Sequence, residues 1–442
     1  VDRLFGPDPS RATAWSHAAR RRVVCSEMAV ASAANGARAA LRPAKRACPP
    51  AASGSQAAEV WAKLTALGAT PGYVDLGQGK PEFAPSAAAV SVAQVALNEA
   101  VPSQYSPVAG SPVLISAVRR FVERIHGAAA APGEGECAIT ASATEGLFSS
   151  FFATLEPGDE VIVPEPAFPW YMPQLRLAGC VPVPVHLKAS EGFELRADAL
   201  QAAITPKTRG LIVNTPHNPT GHVMGVAELE SVAAVCREHN LLAFADEVYE
   251  RQTWGGHQHR RLADIEGMRE RTLTFGSAGK LFCCTGWRVG WVLGPASLIS
   301  AVIRIHSYTT YCAPTPLQLG VAAALDAAPD DPSKEPFTQQ LQENAATLTA
   351  ALEATGGKVL QPQGGYFLVL DTGPLGISAA EYVDILADEA KVVAAPMTSF
   401  YSDDPDPNLV RFTLCKTRET VLEAAARIRA HMDMSGKRAR TA

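Results

Sequence analysis

The pattern that most restricts this chain is a series of short apolar runs separated by longer segments with helical periodicity. Residues 138–140, 160–163, 210–213, 241–245 and 273–275 form runs of three to five residues. Such runs are too short for helices, and their continuous apolar character predicts strands buried on both faces. The apolar stretch 146–155 and the helical periodicity of 227–239 fall between them. This alternation predicts the α/β class, a mostly parallel sheet flanked by helices, with ligands gathering where loops leave the carboxyl ends of the strands. Residues 329–336 interrupt the pattern. Beyond them, a long amphipathic helix (337–355), strands near 365–370 and 409–414, and a last helix from about Glu419 predict a smaller α+β domain. The expected organisation is a leader over 1–54, an N-terminal arm over 55–85 contributing to the small domain, a large domain over 86–326, the small domain over 327–436 and a tail over 437–442.

Charge divides the chain unevenly. The first 54 residues hold nine Lys/Arg against three Asp/Glu, leaving 30 basic and 41 acidic residues, a net of −11, in the remainder. This leader is rich in Arg, Ser and Ala, and it has no compact apolar core of a secretory signal. That composition predicts an organelle transit peptide, plastid favoured over mitochondrion; a cytoplasmic location follows if the leader is an artefact. A net charge of −5 gives no electrostatic reason to expect nucleic acid. The most apolar stretch, 289–303, is broken by Gly294 and Pro295, so no membrane span is expected. Nine scattered cysteines without a C-x-x-C, and ten histidines without ligand spacing, predict neither a disulfide framework nor a metal site.

The chemistry-bearing residues follow the strand-like runs. Lys280 closes the stretch Phe275-Gly-Ser277-Ala-Gly-Lys280 after one such run. A lysine forms an imine only when neutral, a state that burial favours. Ser277 and Arg288 flank it with a hydroxyl and a guanidinium, a pair that suits a phosphate. Asp246 ends another run and is followed at three residues by Tyr249. A carboxylate against a pyridine nitrogen keeps that nitrogen protonated, so the ring can accept electrons. Tyr249 and the amide of Asn218, in Asn218-Pro-Thr-Gly221, are placed to meet the ring oxygen. Ser142-Ala143-Thr144-Glu145 has the form of a capping box, and a helix starting there would offer free N–H groups to a phosphate. Phe168 is a candidate to lie flat on a planar ring, with core packing as the plainer alternative. Taken singly, Asp246 also reads as a helix cap, Asn218 to Gly221 as a turn, and Arg288 as a surface ion pair.

Together these motifs carry a resemblance. From Asn218 to Asp246 is 28 residues, from Asp246 to Lys280 is 34, and from Lys280 to Arg288 is 8. The set resembles the fold-type I pyridoxal-phosphate aminotransferases of class I/II, from about Val60 to the last helix. Leu76-Gly-Gln-Gly-Lys-Pro-Glu-Phe83 and Thr285-Gly-Trp-Arg-Val-Gly-Trp291 look most like the kynurenine/glutamine/methionine aminotransferase subgroup. The resemblance implies pyridoxal 5′-phosphate as cofactor, and ping-pong transamination between an amino acid of that type and a 2-oxo acid. It implies Lys280, Asp246 and Tyr249 as catalytic residues, and Ser142, Ala143, Thr144, Phe168, Asn218, Ser277 and Arg288 as further cofactor contacts. It also implies Arg411 as the clamp on the substrate carboxylate, with Gly79, Lys80, Asn218, Tyr105 and Tyr311 lining the substrate site. Tyr311 would come from the partner in a homodimer with shared active sites.

Two departures bear on the substrate. Lys80 stands where the subgroup has an aromatic residue, and a cation at the pocket mouth would favour acidic substrates unless it points into solvent. Ser142-Ala143-Thr144 replaces the subgroup's Gly-rich turn and looks like the aspartate-type phosphate turn. A cysteine-S-conjugate β-lyase on the same fold is the alternative activity, and a catalytically silent binding or regulatory relative is the second alternative.

Overall fold

Alternating side chains on the central strands are buried on opposite sides, so the sheet needs a helical layer against each face. The computed structural model describes residues 54–402 and 407–438. The expected leader up to residue 53, and residues 439–442 of the expected tail, lie outside the described residues. The strands are β1 (Val74–Asp75), β2 (Cys137–Thr140), β3 (Glu160–Glu165), β4 (Val181–His186), β5 (Thr208–Asn214), β6 (Leu242–Asp246) and β7 (Thr272–Ser277). They continue with β8 (Gly290–Leu293), β9 (Lys358–Leu360), β10 (Phe367–Asp371), β11 (Val392–Val393), β12 (Ala395–Pro396) and β13 (Leu409–Thr413).

The large sheet has seven strands in the order β2-β8-β7-β6-β5-β3-β4. Every pair from β7 to β4 is parallel, whereas β8 runs antiparallel to both β7 and β2. Ile212 and Phe244 pack with Leu147 and Phe151 of the helix Ala143–Thr154. Their neighbours Leu211, Val213, Ala243 and Ala245 pack with Leu229, Val232, Val235 and Cys236 of the helix Val226–Glu238 on the other face. This double burial is why the strands read as continuous apolar runs. The expected mostly parallel sheet is present with one antiparallel insertion, because the 289–303 stretch divides into β8 and the helix Ala296–Thr309. Among the described residues no helix is long and apolar enough to cross a membrane.

A second sheet, in the order β12-β13-β10-β9, is antiparallel throughout. The helices Pro336–Glu353 and Arg418–Arg438 follow the expected amphipathic segments. Upstream residues join this layer through β1, which pairs in parallel with β11. The following Leu76 exchanges backbone bonds with Val393 and Thr413 at 2.9 and 2.7 Å.

Because β2, β3, β5, β6 and β7 share one direction, their carboxyl ends meet at one edge of the large sheet. Asn214 lies in register with Asp246, while Thr140 and Ser277 both pair with Gly290. Gly290 is needed there, since a Cβ would stand 2.6 Å from the Ala143 nitrogen and 2.7 Å from the Ser142 carbonyl carbon. Gly290→Ala is therefore expected to destabilise the protein by about 1–3 kcal/mol, as overpacking does; a shift in the urea midpoint at constant slope checks it.

Candidate active site

The strand ends enclose a cavity of about 360 Å³. Asp246, Tyr249, Ser277, Lys280 and Arg288 line it, as do Ser142, Ala143, Thr144, Phe168 and Asn218. Gly79 and Arg411 reach the same space from the N-terminal segment and from β13. Residues spread over more than 300 positions thus converge on one volume.

Asp246 sits at the floor, 6 % exposed. Its Oδ2 accepts a hydrogen bond from Tyr171 Oη at 2.5 Å, while Oδ1 is buried with no hydrogen-bond partner among the described residues. Burial pushes its pKa up from 3.8 to about 6, with the Tyr171 bond opposing the shift. Its backbone is held too: Asn214 Nδ2 donates to the Asp246 carbonyl at 2.7 Å, and Asn214 Oδ1 accepts from the Asn218 N–H at 2.8 Å.

Lys280 is half-buried, and its Nζ lies 3.5 Å from the Gly79 carbonyl. It stands 5.7 Å from the ring centre of Tyr249 and 5.4 Å from that of Tyr366. Burial lowers its pKa, and the positive charges of Arg411 and Arg288 act in the same direction against the opposing pull of Asp246. These surroundings favour the neutral amine. Tyr366 Oη also donates to the Lys280 carbonyl at 2.5 Å, fixing the backbone that carries the amine.

The Ser142 turn differs from the expected capping box. Ser142 precedes the helix Ala143–Thr154 with φ 89° and makes no side-chain cap. Its hydroxyl instead accepts a hydrogen bond from Arg288 Nη2 at 2.5 Å, while Glu145 reaches back to the Ala141 N–H at 3.2 Å. The first helical bond runs from Gly146 N to Ser142 O, so the N–H groups of Ala143, Thr144 and Glu145 precede the regular ladder. Ser142 and Arg288 (φ 54°) both occupy left-handed backbone conformations next to the cavity.

Arg411 is 3 % exposed and donates from Nη1 to Asn218 Oδ1 at 3.1 Å and from Nη2 to the Gly77 carbonyl at 2.7 Å. Its Nε is buried with no hydrogen-bond partner among the described residues. The guanidinium lies 4.0 Å from the Phe367 ring centre, 4.5 Å from Phe400 and 5.4 Å from Trp61. Burial among these rings lowers its pKa from 12.5 to about 9. A cation desolvated in this way is primed for a carboxylate.

Three expected substrate contacts lie elsewhere in this chain. Lys80 is exposed and does not line the cavity. Tyr105 and Tyr311 are 82 % and 48 % exposed and pack edge-on against each other, with ring centres 5.3 Å apart. Conversely, Tyr171, Asn214, Trp61, Trp170, Phe367 and Phe400 line the cavity without having been singled out by sequence. Only Asn214, Trp170 and Tyr171 had a local signal, standing within four residues of Asn218 and Phe168.

The chain belongs to the family Aminotransferase class I and II, whose sequence model matches residues 71–428. It is 38 % identical over 383 residues to a Mycobacterium tuberculosis protein named Probable N-succinyldiaminopimelate aminotransferase, covering 84 % of this chain and 96 % of that one. It is 34 % identical over 397 residues to mouse (Mus musculus) kynurenine--oxoglutarate transaminase 3, covering 84 % and 87 %. The solved N-succinyldiaminopimelate aminotransferase structure from Mycobacterium tuberculosis matches with a TM-score of 0.81 at 37 % identity, covering 88 % of this chain and 100 % of that one. The protein is an aminotransferase of the α/β fold-type I group, a family and fold that depend on pyridoxal 5′-phosphate.

The residues present fit that group. A protonated ring nitrogen would complete the unpartnered Asp246 Oδ1, and a phosphate would meet the open N–H groups after Ser142.

The raised pKa of Asp246 has a consequence for stability. Between pH 3.8 and about 6 the folded protein holds a proton that the unfolded chain releases. The folded state binds more protons there, so this group makes stability fall as pH rises, by about 3 kcal/mol across the window. Urea unfolding of cofactor-free protein at pH 4 and pH 7 should show wild type losing stability relative to Asp246→Asn by this order.

Proposed function

We propose that this aminotransferase holds pyridoxal 5′-phosphate in the cavity around Lys280 and moves an amino group from an amino acid to a 2-oxo acid by a ping-pong mechanism. The observation that carries the reading is Asp246: a buried carboxylate with one oxygen unpartnered, in the same cavity as a lysine whose surroundings favour the neutral amine. When bound, the cofactor supplies an aldehyde that condenses with amines and a ring that takes up the electron pair left at the substrate Cα.

Each residue then has a task that follows from its position. Lys280 Nζ would be the nucleophile that tethers the cofactor's aldehyde and, as a free amine, the base that takes the substrate Cα proton and returns one. Asp246 keeps the ring nitrogen protonated, and Tyr171 holds the carboxylate in orientation. Tyr249, whose phenol burial pushes well above its ordinary range, acts with the Asn218 amide on the ring oxygen. Phe168, which lines the cavity, would cover the ring. Ser277, Arg288 and the N–H groups of 143–145 hold the phosphate. Arg411 grips the substrate carboxylate and so aligns the Cα–H bond for cleavage.

The substrate class proposed is an amino acid of the kynurenine, glutamine, methionine or aromatic type. Support comes from the relative named kynurenine--oxoglutarate transaminase 3 and from the aromatic walls Trp61, Trp170, Phe367 and Phe400. A homodimer is proposed as the active form. Val95, Leu97, Val101, Tyr105, Tyr308 and Tyr311 are large hydrophobic residues left exposed on the single chain, and covering them would remove an apolar cost. The division into large and small domains at 326/327 is part of the same reading. Organelle targeting, to a plastid, rests on the leader composition alone.

Lys280→Ala is expected to abolish both the visible absorbance of bound cofactor and turnover, and full activity in that variant would overturn the reading. Arg411→Ala, assayed with kynurenine, methionine, glutamine, phenylalanine and aspartate as donors, should raise the barrier for all of them by about 1.5–3 kcal/mol, the worth of a charged hydrogen bond. Unchanged kcat/KM values would remove Arg411 from the substrate site.

A further inference from the structure

Glu145 places a carboxylate in the first turn of the helix that the proposed function assigns to a phosphate, where a second negative charge is unfavourable unless it is neutralised. Its surroundings account for it. Oε2 accepts the Ala141 N–H at 3.2 Å, and Oε1 accepts Ser149 Oγ at 2.6 Å and Thr309 Oγ1 at 3.0 Å. Nδ1 of His306 lies 3.1 Å from Oε1 and 3.0 Å from Oε2. Donors from the turn, from its helix and from the helix Ala296–Thr309 thus meet on one side chain, a load that suits an acceptor-only ionised carboxylate. Burial alone would raise the Glu145 pKa, but the His306, Ser149 and Thr309 contacts outweigh it and hold the carboxyl below its usual range.

His306 is fully buried, and its Nε2 has no hydrogen-bond partner among the described residues. A half-satisfied buried imidazole costs stability that an apolar residue of similar size would not. Packing alone therefore does not explain it. Its backbone carbonyl accepts the N–H groups of Thr310 at 3.2 Å and Tyr311 at 3.0 Å, closing the helix between the exposed Tyr308 in its last turn and the exposed Tyr311 beyond it. Tyr311 itself is held at φ 66°. One residue thus touches the phosphate turn through its ring and the tyrosine-bearing segment through its carbonyl.

We propose that Glu145 and His306 are a positioning pair, which holds the 140–144 turn in its phosphate-accepting shape and couples the filling of that turn to the order of residues 308–312. The proposal rests on the function proposed above. It extends that reading from the cofactor site to an exposed tyrosine-bearing segment that the proposed homodimer would cover. Such coupling is reciprocal: whatever orders one end favours order at the other.

The test compares pyridoxal 5′-phosphate with pyridoxal, which lacks the phosphate, by titrating each into wild type, Glu145→Gln, His306→Leu and His306→Asn. Glu145→Gln and His306→Leu are expected to raise the Kd for pyridoxal 5′-phosphate roughly tenfold and to change that for pyridoxal by less than about twofold on the same scale. His306→Asn, which keeps a donor toward Glu145, should recover most of the loss. Amide exchange of the 306–312 peptide should slow when wild type is loaded with pyridoxal 5′-phosphate, but not when it is loaded with pyridoxal and not in His306→Leu. Equal losses for both ligands, or no loss for either, would overturn the pair, and exchange indifferent to the phosphate would overturn the coupling. If Glu145→Gln and His306→Leu fail to fold, Thr309→Val, which removes one donor from Glu145 Oε1, provides the comparison with a milder change. A wild type that binds neither ligand overturns the proposed function and the pair together, whereas normal wild-type binding with equal losses in the variants overturns the pair alone.

Discussion

A carboxylate taken out of water at the end of a central strand needs either a proton or a partner, and the site is organised around that demand. Asp246 lies between β5 and β7, so neighbouring strands shield it from the side and the two helical layers from above and below. Tyr171 meets one oxygen, while the other faces a cavity in which the lysine, tyrosine and asparagine already stand. Asn214 serves two functions at once, fixing the Asp246 backbone and the Asn218 loop. Little of this arrangement can shift independently, because each polar group is part of another's support.

The second desolvated charge has a different enclosure. Arg411 comes from the antiparallel sheet and is bracketed by Phe367 from its own layer, Phe400, and Trp61 from the first described helix. Its hydrogen bonds run to Gly77 and Asn218, so the N-terminal segment, the large sheet and the small sheet all contribute to a single guanidinium. The pairing of β1 with β11, together with the Leu76 bonds to Val393 and Thr413, fixes the Gly77 carbonyl beneath the arginine. The two buried charges then define opposite demands within one cavity, a cation awaiting a carboxylate and a carboxylate awaiting a cationic ring.

Much of this was legible in the chain, for identifiable reasons. Strands buried on both faces are apolar throughout, and residues such as Lys280, Asp246 and Asn218 stand at or within four residues beyond the ends of such strands. Tyr171, Phe367 and Phe400 carry no such mark. A tyrosine in a helix and two phenylalanines in apolar segments read as core, and nothing local separates a ring packed on leucine from a ring packed on a guanidinium. The Ser142 to Glu145 stretch misled in an instructive way. Its spacing fits a capping box, yet the serine hydroxyl is drawn off by Arg288 and the glutamate is drawn toward His306. Both partners lie more than 140 residues away. Long-range donors outcompeted the local pairing that spacing alone suggests.

What the chain determined by itself was therefore the set of local decisions: which segments become strands, where turns expose a reactive side chain, and which side chains have the chemistry of an imine, an electron sink or a phosphate seat. These depend on side-chain period, turn composition and functional-group identity, all readable within a few residues. Only the tertiary structure decided which charges lose their water, because burial comes from the sum of distant neighbours. It left Lys80 in solvent, placed Tyr105 against Tyr311 at the surface, and put Arg411 among three rings. Solvation sets the worth of each charge, so the same sequence motifs acquire their chemistry only after folding has chosen which of them stay wet.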